Sequence, residues 1–161
     1  MAKDALYLLD TNILLALIRG KELGKYITHT YKLAEVLRRP LISIVAYGEL
    51  MAMAERQNWV EKRRNSLNSM LDSMVTLDLN DPAILEGYVA VDQANMKVQK
   101  GARVLSNNDM WIAATTRAAN AVLLTTDQDF LHLNPRVCAV EYVDPQSSLP
   151  ETLSGPQQTI Q

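Results

Sequence analysis

Cysteine is nearly missing from this 161-residue chain, and its one copy, Cys138, has no partner for an internal disulfide. Histidine is almost as scarce, with only His29 and His132, so a structural zinc site has next to nothing to form from. No apolar run reaches the roughly 20 residues of a membrane span. The segment Met1-Ala2-Lys3-Asp4-Ala5 leads straight into an apolar stretch of strand length, unlike a secretory signal, so a cytoplasmic location is the default expectation. Neither G-x-G-x-x-G nor G-x-x-x-x-G-K-[ST] occurs, which disfavours those two kinds of nucleotide site, and there is no G-x-S-x-G elbow.

What is present is an ordinary globular composition, 48% hydrophobic and 21% charged, in a length that suits one domain with a real core. The overall net charge of -2 does not advertise a nucleic-acid binder. Its distribution is uneven. Residues 19–64 hold ten basic residues against five acidic, and residues 65–161 hold five basic against eleven acidic. A nucleic-acid or acidic partner would dock on the first half, with acidic chemistry supplied partly by the second.

Leu6-Tyr7-Leu8-Leu9 reads as a central strand ending at Asp10, its near-continuous apolarity suiting a parallel sheet covered on both faces. A short helix follows to Gly20, then a second helix over residues 22–39 with Leu23, Ile27, Leu33, Val36 and Leu37 on its apolar side. Leu41-Ile42-Ser43-Ile44 is the next strand, followed by helices over about 45–57 and 60–71 and a brief strand over 75–77. Asp81-Pro82 opens a helix to about Lys100, broken by Gly101. An alanine-rich helix over 108–119, a strand over 121–124 and an edge strand over 137–140 complete the pattern. The alternation predicts a three-layer α/β/α domain with a mostly parallel central sheet, over residues 1–144. Residues 145–161, rich in Pro, Ser, Thr, Gln and Gly, are expected to be a loose C-terminal tail.

Open α/β sheets bind ligands outside the carboxyl ends of their strands. Asp10 ends the first strand, Glu49 lies in the opening turns of the helix after the second, Asp109 starts the alanine-rich helix, and Asp127 follows the 121–124 strand, with Asp129 two residues on. Four junctions on one side of one sheet thus each offer a carboxylate. Such a cluster repels itself when empty and suits hard divalent cations such as Mg²⁺ or Mn²⁺, one or two per site. Held by Asp10, Glu49, Asp109 and Asp127, a metal-bound water becomes a nucleophile for a phosphoryl group. No histidine lies near these junctions, which favours metal-activated water over a histidine base. Thr11, Asn12, Thr125 and Thr126 flank the acids and are candidates to orient them, with Asp129 beside them. Taken singly, Asp109 reads equally well as a helix N-cap and Asp10 as a turn residue. Glu49 is harder to dismiss, because it sits in the apolar stretch from Ile44 to Met53. Glu55, Asp72, Asp78, Glu86 and Asp92 read as solvated surface.

Leu8-Leu9-Asp10-Thr11-Asn12-Ile13-Leu14, Ser43-Ile44-Val45-Ala46-Tyr47-Gly48-Glu49-Leu50, Asn108-Asp109-Met110-Trp111-Ile112-Ala113-Ala114-Thr115 and Leu124-Thr125-Thr126-Asp127-Gln128-Asp129-Phe130 together resemble the four signature segments of PIN-domain ribonucleases, most of all the VapC-type toxins of toxin–antitoxin pairs. The resemblance spans nearly the whole domain, in order and at compatible spacing. It implies that Asp10, Glu49 and Asp109 are the three central acids, Asp127 the more variable fourth, Thr125 or Thr126 the small hydroxyl residue beside it, and Asn12 the asparagine of the first segment. It also implies Mg²⁺- or Mn²⁺-dependent endonucleolytic cleavage of RNA to 5′-phosphate and 3′-hydroxyl ends, a homodimer, and a small antitoxin whose C-terminal segment occupies the groove. Asn107 departs from the extra aspartate that many relatives place there, and the tail beyond Asp144 is longer than a minimal member needs.

An RNA substrate, transfer RNA included, needs positive charge along its backbone. Arg19 and Lys21, close after the first acidic segment, are the leading phosphate contacts, with Lys25, Arg38 and Arg39 next and Arg56, Lys62, Arg63 and Arg64 further candidates. Trp111 is expected to pack and not to stack on a base. Two other readings compete. A metal-dependent phosphatase or phosphoreceiver expects a lysine after a late strand, which the segment around Asp127 lacks. A non-catalytic RNA- or protein-binding domain has no need to keep all four acids.

Overall fold

The computed structural model describes residues 5–35, 39–98, 104–150 and 152–153. Five short strands form one sheet: β1 (Tyr7–Leu9), β2 (Leu41–Ser43), β3 (Val75–Leu77), β4 (Val122–Thr125) and β5 (Ala139–Tyr142). Their order is β3-β2-β1-β4-β5, and every pairing is parallel. Successive strand residues point to opposite faces. Leu8 with Leu9, and Leu123 with Leu124, are nevertheless all fully buried, so helices cover the sheet on both sides. The sequence-based α/β/α architecture is the one observed.

Helix α1 (Thr11–Arg19) ends at Gly20, whose φ of 60° is the left-handed conformation that a glycine adopts without strain. Helix α2 (Glu22–Thr30) stops far short of residue 39. The run Thr28-His29-Thr30-Tyr31 is poor in helix formers, and Lys32 turns the chain with φ 52°. Val36 and Leu37 lie outside the described residues. Helices α3 (Ile44–Arg56), α4 (Glu61–Asp72), α5 (Pro82–Met96) and α6 (Asn107–Ala118) fall close to their expected places, though α5 stops at Met96. Lys100 and Gly101 also lie outside the described residues. Strand β5 begins two residues later than expected. A 3₁₀ segment over Gln128–Leu133 precedes it, and the backbone N–H groups of Val137 and Cys138 both turn back onto the Leu133 carbonyl before the strand can start.

Close helix packing explains two glycines. A Cβ at Gly24 would collide with the Ala16 carbonyl, joining α2 tightly to α1, and one at Gly87 would sit 2.9 Å from the Ala114 carbonyl oxygen, joining α5 to α6. Trp111 packs on Tyr88 across that α5–α6 contact, ring centroids 4.1 Å apart, as its expected packing role requires.

The chain runs outward from β1 through β2 to β3, then returns to the other side of β1 for β4 and β5. The strand order therefore reverses between β1 and β4. At their carboxyl ends the two neighbouring connections leave in opposite directions and open a crevice.

Candidate active site

Asp10 stands in that crevice. Its backbone N–H extends the β1–β4 ladder by donating to the Leu124 carbonyl at 3.1 Å, and its side chain caps α1. The carboxylate is buried at 3% exposure. The Thr11 backbone N–H donates to Oδ1 and the Thr125 hydroxyl donates to Oδ2, both at 2.7 Å. Burial pushes the Asp10 pKa up to about 7. The two hydrogen bonds hold it below what burial alone would give, and the negative charges of Asp109 and Asp127 push it further up.

Thr125 is the hinge of the arrangement. While its hydroxyl donates to Asp10, its oxygen accepts the Asp127 backbone N–H at 2.9 Å. Asp127 in turn caps the 3₁₀ segment, its Oδ1 accepting the Asp129 backbone N–H at 2.8 Å. The two threonines that the motif leaves equivalent are thus distinguished. Thr125 bonds the acid, and Thr126 lies half-buried without a hydrogen bond of its own to the four carboxylates. Asn12 is exposed in the first turn of α1 and holds none of the four acids.

Glu49 is positioned by α3, which starts when the Ser43 hydroxyl accepts the Val45 N–H and caps the helix. The apolar stretch around it is not a buried one, since Ile44 and Met51 are both exposed and Glu49 itself is half-buried, but both its carboxylate oxygens have polar partners. The Thr11 hydroxyl donates to Oε2 at 2.6 Å and the Asn108 amide donates to Oε1 at 2.9 Å. Thr11 therefore bridges two carboxylates, its N–H on Asp10 and its hydroxyl on Glu49.

Asp109 is not the N-cap of α6. Ser106 is the cap, and Asp109 completes a capping box from the third helical position. The Ser106 hydroxyl and backbone N–H both meet Asp109 Oδ2, at 2.7 and 3.2 Å. Burial raises the Asp109 pKa, the Ser106 hydrogen bonds lower it, and the charges of Glu49 and Asp127 raise it again. Upstream, the Asn95 side chain grips both backbone groups of Leu105, accepting its N–H at 2.9 Å and donating to its carbonyl at 3.3 Å. Residue 105 is thereby fixed on α5 just ahead of the cap.

The leading basic residues proposed from sequence do not gather here. Arg19 ends α1 and Lys21 follows it, at the far end of the helix, roughly 12 Å along its axis from the Asp10 end. Lys25 pairs with Glu22 at 3.0 Å on the surface. Arg39 precedes the amino end of β2, and its guanidinium donates to the carbonyls of Asp72, Ser73 and Met74 at the end of α4. Arg38 lies outside the described residues. Positive sequence position reports exposure, not direction. Of the further candidates, Arg56 shares a cavity with Thr11, Glu49 and Asn108, and two contributors were missed, Ser106 and Asn108. The S-x-x-D spacing of Ser106 to Asp109 ahead of an apolar helix was the available signal for the first.

Among the described residues no three acidic, histidine or cysteine side chains close tightly on a single point. Asp109 is turned onto Ser106, and Glu49 onto Thr11 and Asn108. The donor set still suits a hard divalent cation. It is all carboxylate oxygen, and Asp10 and Asp109 are each raised in pKa partly by neighbouring negative charge, a cost that a cation removes. Thr125→Val removes a hydrogen bond to the Asp10 carboxylate and an acceptor for Asp127. It is expected to raise the Asp10 pKa further, read by NMR titration of the carboxyl, and to cost about 1–3 kcal/mol in urea denaturation.

A parallel, doubly wound α/β domain with four acids around its topological switch point defines the class of protein. The PIN domain family matches residues 7–134, and the chain belongs to that family. Ribonuclease VapC1 from two strains of Haemophilus influenzae, R2866 and 86-028NP, is 27% identical over 120 residues, covering 74% of this chain and 85% of the relative. Among solved structures, VapBC2 from Rickettsia felis bound to a DNA fragment from its promoter superposes with a TM-score of 0.70 at 22% identity, over 85% of this chain and 98% of that one. VapBC-1 from nontypeable Haemophilus influenzae gives 0.69 at 24% identity, over 85% and 97%. These likenesses establish the fold.

Proposed function

We propose that the protein is a divalent-metal-dependent endoribonuclease and the toxin of a VapBC-type pair. The observation that carries this is Asp10, a carboxylate buried at the switch-point crevice, tied to Glu49 through Thr11 and to Asp127 through Thr125. Nothing in the folding of α1 demands an acid so deeply placed, since an uncharged cap would serve the helix at lower cost. Kinship with Ribonuclease VapC1 supports RNA as substrate, with transfer RNA one target to offer it, and the VapBC structures support a small antitoxin partner.

Asp10, Glu49, Asp109 and Asp127 would hold one or two Mg²⁺ or Mn²⁺ ions. Such an ion, when bound, supplies a water of lowered pKa and neutralises charge on the phosphoryl group. The chain's own part is orientation. Thr125 and Thr11 fix both oxygens of Asp10, and Asn108 and Thr11 fix those of Glu49. Asp109 would join them by giving up its hydrogen bonds from Ser106. Neither histidine has a place among these contacts; His132 turns its Nδ1 onto the Asp129 carbonyl. Residues 1–144 form the nuclease domain in this account and 145–161 the tail, and the active form is a cytoplasmic homodimer.

The test is incubation of the antitoxin-free protein with total RNA and transfer RNAs, in Mn²⁺ or Mg²⁺ and in chelator. Discrete fragments with 5′-phosphate ends that vanish in chelator are expected. Cleavage that persists in chelator, or intact RNA throughout, overturns the proposal.

A further inference from the structure

The cavity that contains Glu49 extends along α3, with a volume of about 410 Å³, lined by Thr11, Gly48, Glu49, Ala52, Arg56 and Asn108 among others. Arg56 ends α3 seven residues beyond Glu49, on the same side of the helix and roughly 10 Å along its axis. Its basic neighbours are occupied. Arg63 covers the Trp59 ring at 3.5 Å, Arg64 binds Glu55 and the carbonyls of Ala54 and Trp59, and Arg39 binds three carbonyls of the α4 end. Arg56 makes no hydrogen bond or ion pair with any described residue, and none of the other unengaged basic side chains lines this cavity. One flank of the path from Glu49 to Arg56 is bare, with Gly48 and Ala52 on successive turns, and Met53 lines the other flank. Unlike Gly24 and Gly87, Gly48 has no packing reason to be glycine, because a Cβ there would meet nothing within 4 Å. A glycine inside a helix is a destabilising choice.

We propose that this cavity is the subsite for unpaired RNA beside the scissile phosphate, with Arg56 binding a backbone phosphate and the bare turn at Gly48 and Ala52 letting the sugar–phosphate chain lie close to the helix. The inference rests on the nuclease reading and names a determinant of its substrate. A cavity of this volume takes a nucleotide-sized group, in the size range of small-ligand sites, and not a duplex. At a stacked rise of ~3.4 Å per nucleotide, Arg56 meets the strand about three nucleotides from the acids.

The test compares wild type, Arg56→Ala, Gly48→Ala and Gly48→Gln on a single-stranded RNA that the wild type cleaves, with steady-state kinetics at several salt concentrations. Arg56→Ala is expected to raise KM about tenfold with kcat little changed, as loss of one charge-assisted contact does. Its dependence of log(kcat/KM) on log salt should be shallower by about 0.7, one phosphate on a single strand. Gly48→Gln fills the track and should raise KM comparably, whereas Gly48→Ala should raise the melting temperature by about 2–4 °C. A Mn²⁺-induced rise in melting temperature equal to that of wild type in all variants keeps a damaged acid site from imitating the result. Wild-type KM and salt slope in both Arg56→Ala and Gly48→Gln overturn this subsite while leaving the nuclease standing. Failure of the wild type to cleave any RNA removes both.

Discussion

In metal-free buffer at pH 8, Asp10→Asn is expected to melt higher than the wild type, although it alters a buried, fully hydrogen-bonded residue. The Asp10 carboxyl titrates near 7 in the folded protein against 3.8 as an ordinary aspartate. Between those values the folded chain holds a proton that the unfolded chain has released, so stability falls as pH rises through the window and stays low above it. About three pH units correspond to ~4 kcal/mol at the upper end. Asparagine removes the charge and gives back about 1 kcal/mol, because its single oxygen cannot accept from both Thr11 and Thr125. The net gain is ~3 kcal/mol, several degrees in a chain of this length. At pH 4 the wild type is already protonated and the ranking should reverse. Thermal melts of both proteins at pH 4 and pH 8 read the crossing directly.

The second large effect is on catalysis. Asp109→Asn should leave α6 in place, because an asparagine oxygen at the third helical position can still accept from Ser106. It removes one of the charges that would hold the cation, and kcat/KM on RNA should fall by about 10³, or ~4 kcal/mol in the transition state. Such a loss without a fall in melting temperature separates chemistry from folding. An Asp109→Asn enzyme with near wild-type turnover would return Asp109 to a helix-capping role.

The sheet was legible because its strands are short, largely apolar runs, and β1, β3 and β4 are followed directly by an acid or hydroxyl residue, Asp10, Asp78 and Thr126. That pattern located Asp10 and Asp127 as well as the strands themselves. Which of Thr125 and Thr126 faces Asp10 was not legible, since a one-residue shift at a strand end turns a side chain to the other face. The two-residue delay of β5 was hidden for a related reason. It is set by a turn in which Val137 and Cys138 bond back to Leu133, while the residues themselves are as apolar as a strand's. Glu49 stood out by its surroundings, yet its partners Thr11 and Asn108 come from 38 and 59 positions away. The basic contacts were the least readable. Arg39 and Arg56 are both exposed in a basic half of the chain, and only the fold turns one onto the α4 carbonyls and leaves the other free beside Glu49.

The proposed activity requires these four carboxylates to form one divalent-cation site. Titration of Mn²⁺ into the metal-free wild type and Asp10→Asn, followed by calorimetry and by melting temperature, tests it without any RNA. Saturable binding is expected in the wild type, with stabilisation of about 2.7 kcal/mol at a hundredfold excess over Kd. Asp10→Asn should lose most of that response. A folded wild type that binds no Mn²⁺, or an Asp10→Asn protein that binds it equally well, would contradict the account.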